Sequence, residues 1–458
     1  MFRKERGTKL PFNETIKVND AGHLEIGGCD AVELAETFGT PLYVLDEATI
    51  RRKARAYRET LDRLYPNHLV LYAGKAFLTT AMCRLVEEEG LGLDVVSGGE
   101  LYTALLAEFP PERIYFHGNN KSEEELNLAL EAGVGRIVVD NFYELELLNV
   151  LAGRHDKKAN ILLRLTPGVE AHTHEYIQTG QVDSKFGFGL TNDQAFQAVR
   201  LAQGLKNVRL VGFHSHIGSQ VFEVAPYRLA AEVLLNFVAR VKNELGLVTK
   251  ELDLGGGLGI RYLPQDDPPA VEEFLRELVE FLQERVRQLN LEAPRLLLEP
   301  GRSIVGDAGV TLYRVGSIKE IPGIRTYVAV DGGMADNPRV ALYGAKYEAK
   351  VANRASDPAE VVVSIAGRFC ESGDMLLWDA HLPRINSGDI LAFFSTGAYH
   401  YSMASNYNRY GRPAVVLVHA GQADLIVRRE TWEDLVARDI IPERLRSRRQ
   451  EYLAASGS

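Results

Sequence analysis

Three cysteines in 458 residues, Cys29, Cys83 and Cys370, are too few, too scattered and odd in number for a disulfide framework. A reducing cytoplasm suits such usage. No apolar run approaches the ~18 residues of a membrane span. The basic stretch MFRKERGTKLPF has no apolar h-region behind it, so it reads as no secretory signal. Positive charge is in deficit: 52 Lys and Arg against 62 Asp and Glu give a net charge of −10. That balance disfavours nucleic acid or an anionic membrane as partner and leaves room for small anions at a local site. No Pro/Gly/Ser-rich stretch is long enough to be a linker, and the closing AASGS carries no weight. Two nucleotide fingerprints are also missing. The turn Gly255-Gly-Gly-Leu-Gly-Ile260 has isoleucine where a dinucleotide motif needs its third glycine. Gly74-Lys75 is followed by Ala76 and has Leu69 where a P-loop needs its first glycine.

What is present is an ordinary globular composition, 46% hydrophobic and 25% charged. At roughly 100–200 residues per domain the length allows two to four domains. Between residues 69 and 299 eight short runs rich in Val, Ile and Leu recur: LVLYA, GLDVV, IYFHG, RIVVD, ILLRL, RLVGFH, ELDLG and RLLLE. Near-continuous apolar runs suit parallel strands buried on both faces. Amphipathic segments such as TTAMCRLVEEEG, EEELNLALEAG and NDQAFQAVRLAQG separate them. Eight β/α alternations match a TIM barrel. A doubly wound sheet is the rival; the repeat count and the missing dinucleotide motif favour the barrel. After residue ~305 the texture changes to TLYRVGSIKEI, RTYVAVDGG, EVVVSIAGRFC, DILAFFSTGAY and PAVVLVHA, which read as strands joined by turns. The fold class is therefore α/β plus all-β, a TIM (β/α)8 barrel with a β-sandwich or β-barrel-like second domain.

A TIM barrel works at the C-terminal ends of its strands. Those ends carry Lys75, Ser97, Asn119, Asn141, Arg164, His214 with His216, Gly255–Gly257 and Glu299. Lys75, near low-dielectric walls, is a candidate amine nucleophile of lowered charge preference, or a surface lysine. Gly255-Gly256-Gly257 could bring backbone N–H groups to a phosphate, or simply make a tight turn. Glu299-Pro300-Gly301-Arg302 offers a carboxylate for a ring N–H and a cation for a substrate carboxylate, or a mutual ion pair. Together they suit pyridoxal phosphate: a Schiff-base lysine, a phosphate cradle and an acidic partner for the pyridine nitrogen. No metal enters this reading.

The order YAGKAF, HSHIGSQ, DLGGGLGI, EPGRSIVG, CESGD and GAYHYSMASNYN resembles the fold-type III pyridoxal-phosphate decarboxylases. HGNNKSEEEL, AHTHEYIQTGQVDSKFGFG and DNPRVALYGAKY resemble the diaminopimelate-acting branch of that family, and the resemblance covers essentially the whole chain. It implies a cofactor-binding barrel at 44–305 and a β domain made of 1–43 and 306–458. It further implies decarboxylation of meso-2,6-diaminopimelate at its D-configured centre, giving L-lysine and CO₂ with pyridoxal 5′-phosphate. The alternative is a related decarboxylase of ornithine, arginine or a carboxylated polyamine. By resemblance Lys75, Glu299 and Cys370 are catalytic. The cofactor would be held by Lys75, His216, Ser219, Gly256, Gly257, Glu299, Pro300, Gly301, Arg302 and Tyr399. Arg302, Arg339, Tyr343, Glu371 and Tyr399 would bind substrate. Cys370 and Glu371 would reach the site of a neighbouring subunit, making a homodimer with shared active sites; alone, Cys370 reads as a buried structural cysteine. One departure from the family pattern is RYGRPAVVLV after SNYN, where a more basic, proline-rich stretch is expected.

Overall fold

The structure is a computed structural model and describes residues 14–169 and 184–446. MFRKERGTKLPF, AASGS and residues 171–183 of the AHTHEYIQTGQVDSKFGFG motif lie outside the described residues.

All eight apolar runs are strands: His68–Ala73, Gly92–Val95, Ile114–Phe116, Arg136–Val139, Ala159–Thr166, Val208–His214, Glu251–Asp253 and Arg295–Leu298. Each pairs in parallel with the next, and the eighth returns to the first with Leu297 opposite Leu69. Closure removes both edges and decides for the barrel over the doubly wound sheet. The expected helices appear as Thr80–Glu88, Glu123–Ala132 and Gln194–Gly204. Ser97 and Asn141, two of the polar strand-end residues, are helix N-caps; their side chains accept from Glu100 N at 3.2 Å and Glu144 N at 2.9 Å. The Asn119 carbonyl accepts from the Asn141 amide at 3.0 Å. Ser97 and Asn141 start helices. No described helix is long and apolar enough to cross a membrane.

The second domain is organised around one long strand, Gly309–Ile321. It pairs antiparallel with Leu42–Asp46, Ile390–Phe394 and Arg325–Val330. Val361–Ala366, Met375–Leu382, Ala414–His419 and Gln422–Val427 extend the sheet on either side. The boundary expected at 43/44 cuts the strand Leu42–Asp46, whose pairing places all five of its residues in this sheet. Ile16, Leu24 and Ile26 from the N-terminal segment pack with Leu312, Phe394 and Val416, so that segment belongs to the β domain's core. A separate apolar cluster of that domain contains Tyr313, Val328 and Phe393 together with Ile260 and Tyr262. The glycine-rich loop after the seventh barrel strand thus runs into the second domain, and Ile260 is one of its anchors.

Candidate active site

Side chains of a strand alternate between faces, so a residue two places beyond an interior one also points inward. Tyr115, Val138, Leu162 and Leu297 fill the small interior cluster of the barrel. Two places on stand His117, Asp140, Arg164 and Glu299. The same pleat brings Asp94, His214 and Asp253 to the C-terminal mouth, where all are buried apart from the partly covered Arg164.

Glu299 is the hub of this ring. Its Oε1 lies 2.8 Å from His117 Nε2 and its Oε2 3.2 Å from His214 Nε2. Burial opposes its ionisation, but the two imidazoles outweigh it and hold the carboxyl well below its ordinary range. Burial pushes His214 down to about 4, so the ring hydrogen-bonds Glu299 as a neutral group. Asp253 moves the other way: burial and then the charge of Glu299 raise it, as expected where two carboxyls cannot both ionise. His117, His214, Asp253 and Glu299 offer ligand atoms within 4.8 Å of one another. His214 is hydrogen-bonded to Glu299 Oε2, whereas the close His117 contact at Oε1 lacks hydrogen-bond geometry.

Lys75 sits in the turn Gly74–Ala76 directly after the first barrel strand. Burial lowers its pKa, yet Asp94, then Tyr399 and Glu299, leave it raised. The expectation of a lysine with weakened charge preference is reversed here, because the carboxylates stand close enough to outweigh desolvation. His216 is held well below its ordinary range by burial and by the Lys75 and Arg164 cations. Its Nδ1 accepts from Gly256 N at 3.2 Å, which fixes a neutral ring beside the glycine turn.

Glycine is required where the strand ends converge. A Cβ on Gly256 would stand 2.0 Å from the Glu299 carbonyl oxygen. One on Gly257, at φ +117°, would stand 2.4 Å from that of Gly218. The residues present fit pyridoxal 5′-phosphate. The buried Glu299 Oε1 has no hydrogen-bond partner despite the nearby imidazole, and so suits a ring N–H. Lys75 supplies the amine, His216 a neutral ring, and the turns at Gly256–Gly257 and Gly301–Arg302 bare backbone.

A second cluster faces this one. Arg302 donates through Nε and Nη2 to Ser219 Oγ, at 3.2 and 3.0 Å, and through Nη1 to the Tyr262 hydroxyl. Arg339, in the short helix Arg339–Tyr343 of the β domain, donates to the same hydroxyl at 2.9 Å. Both guanidiniums lie over the Tyr399 ring, at 4.8 and 5.8 Å, and Arg339 over Tyr343 at 5.7 Å. Tyr399 is held at φ +62°, a conformation rare for an aromatic residue. Its N–H donates to the Ala76 carbonyl at 2.8 Å, beside Lys75.

The structure therefore gathers Lys75, His216, Ser219, Gly256, Gly257, Glu299, Pro300, Gly301, Arg302, Arg339, Tyr343 and Tyr399. Among the described residues no hydrogen bond joins Cys370 or Glu371 to this group. Both are exposed, and their hydrogen bonds are local: Cys370 N to Asn408 Oδ1 at 2.8 Å, and Gly373 N to Glu371 Oε1 at 3.3 Å. Sequence reasoning missed Asp94, His117, Asp253 and Tyr262. The first three had a usable signal in the strand pleat. A cavity of about 720 Å³ on the β domain, lined by Arg409, Arg412, Arg428 and Glu430 among others, contains none of the site residues.

Residues 47–306 match the family described as pyridoxal-dependent decarboxylase, pyridoxal binding domain. The diaminopimelate decarboxylase of Bacillus methanolicus is 55% identical over 419 residues, 92% of this chain and 97% of its own length. That of Bacillus subtilis (strain 168) is 55% identical over 426 residues, 93% and 97% respectively. A crystal structure of diaminopimelate decarboxylase from M. jannaschii in co-complex with L-lysine matches with TM-score 0.89 at 39% identity, covering 95% of this chain and 100% of that one. The chain belongs to the pyridoxal-dependent decarboxylases and, within them, to the diaminopimelate decarboxylase family.

Proposed function

We propose that this protein decarboxylates meso-2,6-diaminopimelate to L-lysine and CO₂ with pyridoxal 5′-phosphate, the last step of lysine biosynthesis. One observation carries the choice of substrate. Arg302 and Arg339 are buried together and paired with no carboxylate among the described residues, so they suit the second carboxylate of a diamino diacid. Ornithine and arginine bring no such group and would leave two buried cations unpaired, which costs binding energy. The names of the 55%-identical relatives and the lysine in the related structure support the same substrate.

Bound at this mouth, the cofactor supplies an electron sink for the pair of electrons left when CO₂ departs. The chain's own groups do the rest. Glu299, held in its ionised form, would accept a hydrogen bond through Oε1 and keep a proton on the ring nitrogen. Lys75 offers the amine for covalent attachment, and the acidic ring around it steadies its proton. Neutral His216 would present a ring face, while Ser219, Gly256, Gly257, Pro300, Gly301 and Arg302 would hold the phosphate. Arg302, Arg339, Tyr343 and Tyr399 take the distal end of the substrate.

Cys370 and Glu371 act in the active site of a partner subunit, Cys370 at the proton step and Glu371 on the distal ammonium. Their exposure leaves both open to a neighbouring chain and supports a homodimer with shared sites. Three free cysteines, one exposed, suit a cytoplasmic location. A panel of meso-diaminopimelate, ornithine and arginine, followed by CO₂ release, tests the reading. Diaminopimelate should be preferred by at least about 100-fold in kcat/KM. Turnover of ornithine, arginine or a carboxylated polyamine with no activity on diaminopimelate would overturn it.

A further inference from the structure

Two buried guanidiniums repel each other, and each needs an acceptor in place of the water it has lost. Arg302 follows the eighth barrel strand, whereas Arg339 belongs to the β domain. Their only shared hydrogen-bond acceptor among the described residues is the Tyr262 hydroxyl. Tyr262 is itself firmly held. It leaves the barrel on the glycine-rich loop, its backbone N–H donates to Asp266 Oδ2 at 2.9 Å, and its ring packs edge-on against Tyr347 at 5.4 Å. The two guanidinium carbons lie 5.7 and 5.5 Å from its ring centre.

We propose that Tyr262 is the positioning residue of the distal-carboxylate site. Its hydroxyl ties an arginine of each domain to one point and so sets the spacing at which the pair receives a single carboxylate. The inference rests on the reading that Arg302 and Arg339 bind that carboxylate, and deepens it. The response of the phenol agrees with the geometry: burial would raise its pKa, but the two cations outweigh burial and lower it. The hydroxyl is the acceptor that both cations share, and Arg339 Nε is left without a partner.

The test is Tyr262→Phe, which keeps the ring and its packing and removes only the oxygen. The measurements, on the cofactor-loaded enzyme, are KM and kcat for meso-diaminopimelate and the Kd values of L-lysine and cadaverine. L-lysine keeps the carboxylate in question and cadaverine has none. KM and the L-lysine Kd should both rise roughly 10-fold, with kcat within about two-fold of the parent and cadaverine binding unchanged. Equal weakening of L-lysine and cadaverine would mark a general structural loss and overturn the proposal, as would no change in either. Arg339→Ala separates the two levels. If it weakens L-lysine selectively while Tyr262→Phe does not, the positioning role fails and the carboxylate assignment stands. If it treats L-lysine and cadaverine alike, the assignment itself fails.

Discussion

Arg339 stays charged although buried, as a guanidinium does, and it donates to the Tyr262 hydroxyl at 2.9 Å without meeting a carboxylate among the described residues. A charge-assisted bond to a carboxylate contributes about 1.5–3 kcal/mol. Arg339→Ala should therefore raise KM for diaminopimelate by roughly 10- to 150-fold, with little change in cofactor affinity, which steady-state kinetics and a cofactor titration would show. Equal loss of both would contradict its assignment to the substrate's far end. At this scale sequence and structure differ in an instructive way. Lys75 and Glu299 were legible because each follows an apolar strand directly. Asp94 and Asp253 were overlooked because they lie inside the apolar runs GLDVV and ELDLG, although the strand pleat turns them toward the mouth. Tyr262 gave no local signal, since its partners Arg302 and Arg339 lie 40 and 77 residues away.

Elements buried on both faces were the readable ones. All eight barrel runs stand out as apolar stretches, and so does the buried first half of the strand Gly309–Ile321. Met375–Leu382 and Gln422–Val427 did not, because exposed polar positions interrupt them at the margins of the sheet. The loop after Ile390–Phe394 carries a titratable residue with a measurable consequence. His400 is fully buried there, donates from Nδ1 to the Ala398 carbonyl at 2.9 Å, and meets Tyr347 edge-on. Burial, then Arg339 and Arg302, push its pKa down to about 3. An unfolded histidine titrates near 6.5, so its stabilisation is complete above that pH and declines as pH falls toward 3. The unfolding free energy of the parent relative to His400→Asn should drop by about 2 kcal/mol between pH 7 and pH 5. Urea unfolding at both pH values checks this, and a constant difference would contradict it.

For the whole molecule, both domains contribute to the gathered residues: the barrel supplies Lys75 and Glu299, the β domain Arg339 and Tyr399. The proposed function carries the same logic to a second chain, whose site Cys370 and Glu371 would complete. If the sites are shared, mixing Lys75→Ala with Cys370→Ala subunits should restore about a quarter of parental activity through random heterodimers carrying one intact site. No restoration would place Cys370 outside the partner's chemistry. The net charge of −10 described the surface as a whole and concealed the cationic pocket formed by Lys75, Arg302 and Arg339. The most direct test of the central claim is product analysis after incubation with meso-diaminopimelate, with and without added pyridoxal 5′-phosphate. The account predicts equal amounts of L-lysine and CO₂, dependent on the cofactor; absence of L-lysine from the loaded enzyme would contradict it.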